Sequence, residues 1–323
     1  MKNNNFKKIT RLIFGLVFAF VLIYYVFRNV NFGEVLILIK GIKFEFLIPA
    51  VLIVLFLIPY RGLRWFEYLN IIKYKPKKSS VIKLYGSGVF LNLTLFANVG
   101  DLFRLVESKK LGMNRSRVLS TIYFERLFDL ILMFSLMLLT LPFAGFFDKQ
   151  IQNLIIIISV LVVILVSGAF FIIFAEKFGK KIIKILFNLP FIKNYEKKLE
   201  DMYDELVLGF KLFWNKKIFL IFLMSLSLWT MESLVFYFVC KSLSMNTTFL
   251  FAVFMTISAN LFFAIPISPS GLGLVDSYLQ IVLSQLFLPE LATAVILVYR
   301  SMKLIGEIGT SFTLFTLRQL ESQ

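Results

Sequence analysis

The chain has 323 residues, 59% of them hydrophobic, a mean hydropathy of +0.84, 39 phenylalanines and a formal charge of +16. Globular domains run nearer half apolar, so the composition excludes an ordinary soluble domain and predicts an all-α polytopic membrane protein. With one cysteine, Cys240, and no histidine, it also excludes a disulfide framework, a His- or Cys-based metal site and a His-dependent triad. No cofactor is called for, and the basic excess is read as loops that meet lipid headgroups, not nucleic acid.

Runs of membrane-spanning length occupy Ile9–Phe27, Glu45–Tyr60, Leu127–Phe147, Ile151–Ala175, Ile218–Cys240 and Leu291–Leu317. They are too long and continuous for barrel strands. No small-x-small cleavage site follows the first run before Arg28, so it is expected to be retained. Arg61–Lys83 carries a charge of +6 and Asp101–Arg117 of +3, and these two basic stretches flank the single apolar segment Leu84–Ala97. If that segment spanned, one basic loop would lie outside. A dip that returns to the same side keeps both cytoplasmic. Phe249–Ile265 and Leu272–Leu288 predict a second hairpin, entering from the outer side. The expected architecture is therefore six full spans with both termini cytoplasmic in the cell membrane, plus two re-entrant hairpins of opposite origin; eight plain spans are the alternative. Residues 28–146 and 218–317 form the two half-repeats of one membrane domain. Between them, Glu176–Lys217, with ten lysines against six acids, predicts an amphipathic segment on the cytoplasmic interface.

The two expected hairpins share wording. "NLTLFANVGD" runs from Asn92 to Asp101 and "NLFFAIPISPSGLGLVD" from Asn260 to Asp276, each followed by a span with an embedded arginine, Arg126 or Arg300. With opposite orientation, this is the signature of an inverted repeat. Pro266 and Pro269 stop a half-helix, Gly271 and Gly273 permit a reversal, and Ser268 or Ser270 caps the next half-helix, whose N–H groups would attract an anion. Irregular backbone at membrane depth is tolerated only where it is buried in protein or lines a wet cavity.

Charges within the spans cost about 2.5–3.5 kcal/mol or more each, so they must pair or face water. They are Arg104, Glu125, Arg126, Asp129, Glu232, Asp276, Arg300, Lys303 and Glu307. Glu125 and Asp129, four apart, share a helix face, with Arg126 turned about 100° away. Lys303 and Glu307 have the spacing to pair with each other. Glu232 has no local partner, so it is a candidate pathway residue or a partner for one of the arginines. Arginines, an acid in each half and two half-helix ends suit a zwitterionic or phosphate-bearing headgroup. The candidate site is thus Asn92, Gly100, Asp101, Arg104, Glu125, Arg126, Asp129, Glu232, Ser268, Ser270, Gly271, Gly273, Asp276 and Arg300.

These motifs in order resemble the lysylphosphatidylglycerol synthase transmembrane region family, the flippase-like membrane proteins. They are Arg64-Trp65; Asn92 with "VGDLFR" (Gly100, Asp101, Arg104); "ERLFD" (Glu125, Arg126, Asp129); "SPSGLGLVD" (Pro269, Gly271, Gly273, Asp276); and Tyr299-Arg300. The family proline before the first Gly-acid motif is missing, with Phe96 or Ala97 in its place. Asp101 and Asp276 stand where the family has Glu, and Ser270 where it has Gly. The resemblance implies movement of an amphipathic lipid between leaflets, such as an aminoacylated phospholipid or a polyprenyl-linked glycolipid. The chain runs six residues past Leu317, so no synthase domain and no enzymatic activity are expected. Expected partners are membrane lipids and a separate lipid-synthesising enzyme, with a homodimer left open. Two other functions fit the composition: a glycosyltransferase using polyprenyl-phosphate sugars, which lacks an Asp-x-Asp and an outer loop of useful size, and a small-solute carrier built on the same hairpins.

Overall fold

A computed structural model describes residues 17, 20–94, 99–143, 216–263 and 271–321, with isolated positions between 153 and 207. The first half of the Ile9–Phe27 run, most of Ile151–Ala175, the amphipathic Glu176–Lys217 stretch except for a few positions, and Pro266, Ser268, Pro269 and Ser270 lie outside the described residues. All regular structure among the described residues is helical.

Helix α1 (Phe20–Phe27) meets α2 (Phe32–Lys40) at an 87° bend. Asn31 caps α2 by accepting from the Gly33 N–H at 3.0 Å. A helix therefore lies between the charged residues Arg28 and Glu45. Helix α3 (Phe44–Ile71) continues well past Tyr60, where the apolar run ends. Its last turns carry Arg61, Arg64, Trp65 and Tyr68 into the protein, with Arg64, Trp65 and Tyr68 fully buried. This corrects the reading of Arg61 and Arg64 as loop charges. A run of apolar residues marks where lipid covers a helix, whereas these turns are covered by other helices and can carry charge that is paired there.

Next come α4 (Lys78–Thr94) and α5 (Val99–Glu107), then a 3₁₀ turn over Ser108–Leu111 that Gly112 ends at φ 74°. Helix α6 (Arg115–Thr140) starts on the Asn114 side chain, which accepts from the Ser116 N–H at 2.8 Å. After the inter-repeat segment come α7 (Lys217–Ser242), α8 (Phe249–Phe263), α9 (Leu274–Leu283) and α10 (Pro289–Glu321). By length and apolarity alone, α3 and α7 qualify as spans. The embedded charges of α6 and α10 hide helices of 26 and 33 residues from that criterion.

Contacts between helix ends sort the chain into two faces. On one, the Asn114 N–H donates to the Tyr74 hydroxyl at 2.7 Å, and the end of α10 meets α4 and α5 through the pairs Lys83–Glu321 and Arg318–Glu107. Partial burial pulls the Glu107 carboxyl up, but Arg318 and Lys110 outweigh it and hold the group below the usual carboxylate range. On the other face, the Lys43 N–H donates to the Ser242 carbonyl at 2.9 Å, and the Asn31 N–H to Glu290 at 3.4 Å. Helices α3, α6, α7 and α10 run from one face to the other. The first face carries Lys73, Lys75, Lys77, Lys78, Lys109, Lys110, Arg115 and Arg117 alongside Glu107 and Glu321, whereas the second mixes Lys40, Lys43 and Lys241 with Glu34, Glu45 and Glu290.

The helices α4 and α5 form an antiparallel hairpin that opens to the basic face. The Gly100 N–H donates to Asn92 at 2.7 Å, and Arg104 packs back on Gly88. A Cβ on Gly100 would sit 1.8 Å from the Gly88 carbonyl oxygen, so only glycine lets these backbones meet. The helices α8 and α9 form the second antiparallel hairpin and open to the opposite face. Phe251 meets Phe287 near its mouth, and Phe262 stacks on Tyr278 at 4.4 Å near its tip. With nine and ten residues, α5 and α9 are far too short to cross a core of about 30 Å.

Two apolar cores result. One, around Trp65, Tyr68, Val81, Val118 and Ile221, lies toward the basic face. The other, around Phe236, Cys240, Phe254, Leu279 and Val295, lies toward the opposite face. The buried charges occupy the seam between them.

Candidate functional site

Among the described residues, six cations and six carboxylates meet at this seam. Arg64 of α3 bridges Glu125 and Asp129 of α6, at 3.1 and 2.6 Å. The i, i+4 spacing puts both acids on one helix face, where a single planar guanidinium reaches both. Arg104 of α5 reaches Glu125 at 3.0 Å and Asp101 at 3.1 Å. Its guanidinium also lies over the rings of Trp65, at 4.1 Å, and Tyr85, at 4.4 Å, so cation–π attraction adds to the ion pairs. Trp65 is itself held by donating its indole N–H to Thr121 at 3.0 Å. Arg126 reaches the second oxygen of Asp101 at 2.8 Å.

The other half contributes a matching set. Glu232, fully buried on α7, is gripped by Arg61 and, at 2.8 Å, by Lys303. Arg61 also faces Glu307 at 3.9 Å. Asp276 on α9 accepts from Arg300 at 2.8 Å through one oxygen and from the Gly273 N–H at 2.8 Å through the other. Gly273 has φ 80°, a conformation that favours glycine, and it turns the chain into α9.

The space enclosed by these groups is a cavity of about 340 Å³. Asn92 and Leu93 from the tip of the first hairpin and Ala259, Asn260 and Gly271 from the tip of the second face it together. Its walls carry Arg61, Arg64, Arg104, Arg126, Arg300 and Lys303 against Asp101, Glu125, Asp129 and Glu307, with Trp229 and Tyr299 among them. The structure thus brings together Asn92, Gly100, Asp101, Arg104, Glu125, Arg126, Asp129, Glu232, Gly271, Gly273, Asp276 and Arg300, in or directly behind one cavity.

Two expectations need correction. Lys303 does not pair with Glu307, four residues on; it turns instead to the fully buried Glu232, which needs a full countercharge, while Glu307 faces Arg61. Glu232, expected as a pathway residue or a partner for one of the arginines, does pair with an arginine, Arg61, and with Lys303 as well. The half-helix ends do not hold all their N–H groups free for an anion: the Gly100 N–H goes to Asn92 and the Gly273 N–H to Asp276. Sequence reasoning also missed Arg61, Trp65 and Tyr85 as parts of the site. Arg64-Trp65 stood among the motifs, but its place at the end of an apolar run disguised it as a loop.

Residues 12–307 match the model of the lysylphosphatidylglycerol synthase transmembrane region. The chain belongs to this family. It is also similar to the UPF0104 membrane protein MJ1078 of Methanocaldococcus jannaschii, 33% identical over 194 residues that cover 58% of this chain and 76% of the relative. The match takes in every residue named above as lining the cavity, so the site belongs to the part of the chain that defines the family. The protein is accordingly an all-helical, multi-pass membrane protein.

Proposed function

We propose that this protein carries the headgroup of a phosphate-bearing lipid, anionic or zwitterionic, between the two leaflets of the cell membrane, acting as a carrier and not as an enzyme. An aminoacylated phospholipid and a polyprenyl-linked glycolipid both have this chemistry. One observation carries the reading: two hairpins that open to opposite faces end on a single charged cavity at mid-depth. A polar headgroup cannot cross bare hydrocarbon cheaply. A cavity bearing Arg104 and Arg126 on one hairpin's side and Arg300 and Lys303 on the other's supplies charge-assisted hydrogen bonds along the crossing, while the chains stay in lipid. The basic face, rich in lysine and arginine, is the cytoplasmic one by the positive-inside rule. A lipid-synthesising enzyme on that side is the natural supplier.

The test is transbilayer movement of fluorescently labelled phosphatidylglycerol in proteoliposomes, read by dithionite bleaching. The native protein is expected to expose inner-leaflet label, and Arg104→Gln and Arg300→Gln to slow that exposure at least about tenfold, the loss of one charge-assisted bond at the barrier. Movement no faster than in protein-free vesicles would remove the reading.

A further inference from the structure

The two halves repeat one ion pair, and the two copies differ in exposure. In the first hairpin, Asp101 holds Arg126 at 2.8 Å, and the arginine side chain is 57% exposed. In the second, Asp276 holds Arg300 at 2.8 Å, and the arginine side chain is only 10% exposed. Arg126 lies about 18 Å along α6 from Asn114 on the basic face, at 1.5 Å per residue, and so near mid-bilayer. It belongs to the cavity wall, yet most of it is uncovered. Exposed apolar side chains stand on the same two helices: Tyr123 one turn before it on α6, 53% exposed, and Leu102 and Val106 on α5, whose Asp101 it binds, 61% and 50% exposed. An arginine held at that depth beside lipid-facing residues costs several kcal/mol unless an anion or water serves it. Asp101 serves only part of it, since Arg104 shares the same carboxylate.

The geometry points to the gap between α5 and α6 as a side portal from the bilayer into the cavity, barred by the Asp101–Arg126 pair and opened by the phosphate of a phospholipid. The phosphate takes the place of Asp101 on Arg126, while the acyl chains lie against Leu102, Val106 and Tyr123. Asp101 stays neutralised meanwhile by Arg104. This inference rests on the headgroup-carrier reading above and adds where the lipid comes in and what it displaces. Asp276–Arg300 is the corresponding bar of the opposite hairpin, and it is closed in this structure.

Two substitutions with opposite expected signs test the portal. The full-length protein is placed in nanodiscs of phosphatidylcholine with a minor fraction of phosphatidylglycerol, and the phosphatidylglycerol retained on the protein is measured by native mass spectrometry. Arg126→Gln is expected to retain about tenfold less, Arg126→Lys to retain most, and Asp101→Asn, which frees Arg126 from its competitor, to retain several-fold more than native. A purely structural pair would lose retention with either neutral substitution. Retention by Asp101→Asn no higher than native, or by Arg126→Gln undiminished, overturns the portal. If retention follows the portal while labelled lipid fails to cross vesicle membranes, the carrier reading falls and the portal stands as a lipid-binding site. If lipid crosses while retention ignores both residues, the reverse holds.

Discussion

Asp276 holds Arg300 at 2.8 Å across 24 residues of sequence, with both side chains nearly buried. Asp101 holds Arg126 at the same distance across 25 residues. In each case the acid stands near the start of the short second helix of a hairpin and the arginine lies on the crossing helix that follows. The two hairpins open to opposite faces.

Breaking the buried copy from one side leaves an uncompensated charge, which costs about 3–5 kcal/mol, whereas removing both charges costs much less. Arg300→Gln is therefore expected to lower the thermal midpoint in detergent by more than the Asp276→Asn, Arg300→Gln double variant does. A double variant at least as unstable as Arg300→Gln alone would show that the two residues do not act as a pair.

The hydrogen bond between Asn114 and Tyr74 places the loops before α4 and after α5 at one face. In a Cys240→Ser background, cysteines at Ser79 and Ser116 are expected to react with a membrane-impermeant thiol reagent from the same side of oriented vesicles, and a cysteine at Asn246 from the other. Labelling of Ser79 and Ser116 from opposite sides would turn α4 into a plain span and remove the first hairpin.

The contact of Gly100 with Gly88 leaves no room for a methyl group. Gly100→Ala must push α5 off α4, at about 1–3 kcal/mol by the usual cost of overpacking. It should also pull the Gly100 N–H away from Asn92. A lower thermal midpoint and slower lipid movement are expected together, with an unchanged midpoint as the contrary result.

Much of this arrangement was legible in the sequence. Two basic stretches around one apolar segment implied a reversal; α4 and α5 lie antiparallel, with Asn92 beside Gly100 and Gly88 beside Arg104. Glu125 and Asp129 were legible as one face, because helical spacing alone decides it. The recurrence of an acid and an arginine in each half was visible, but their pairing was not, since no local rule links residues 24 or 25 positions apart. Arg61 and Arg64 were misplaced for a related reason: hydropathy reports contact with lipid, and the last turns of α3 touch protein. The expected Lys303–Glu307 pair failed because i, i+4 proximity is worth only a few tenths of a kcal/mol, far less than the need of the fully buried Glu232 for countercharge. The half-helix ends are only partly free, because Asn92 and Asp276, two of the residues assigned to bind a headgroup, each take one N–H there.

Arg64 bridges Asp129 and Glu125, the second of which it shares with Arg104, and the planar fork is what reaches both. Arg64→Met is expected to destabilise the protein by about 3–5 kcal/mol. Arg64→Lys should recover only part of that loss, because one ammonium cannot satisfy Glu125 and Asp129 in the same geometry. Full recovery with lysine would reduce the bridge to a point charge.

The carrier reading places a lipid headgroup in the cavity between the hairpin tips. Its most direct test is a photoreactive benzoylphenylalanine at Leu93, which faces that cavity, activated in native membranes and read by mass spectrometry. Leu52, on the exposed apolar side of α3, serves as the bulk-lipid comparison. A phosphate-bearing lipid joined at Leu93, and enriched there over its share of the adducts at Leu52, is the predicted result. Abundant lipid adducts at Leu52 with none at Leu93 would contradict it.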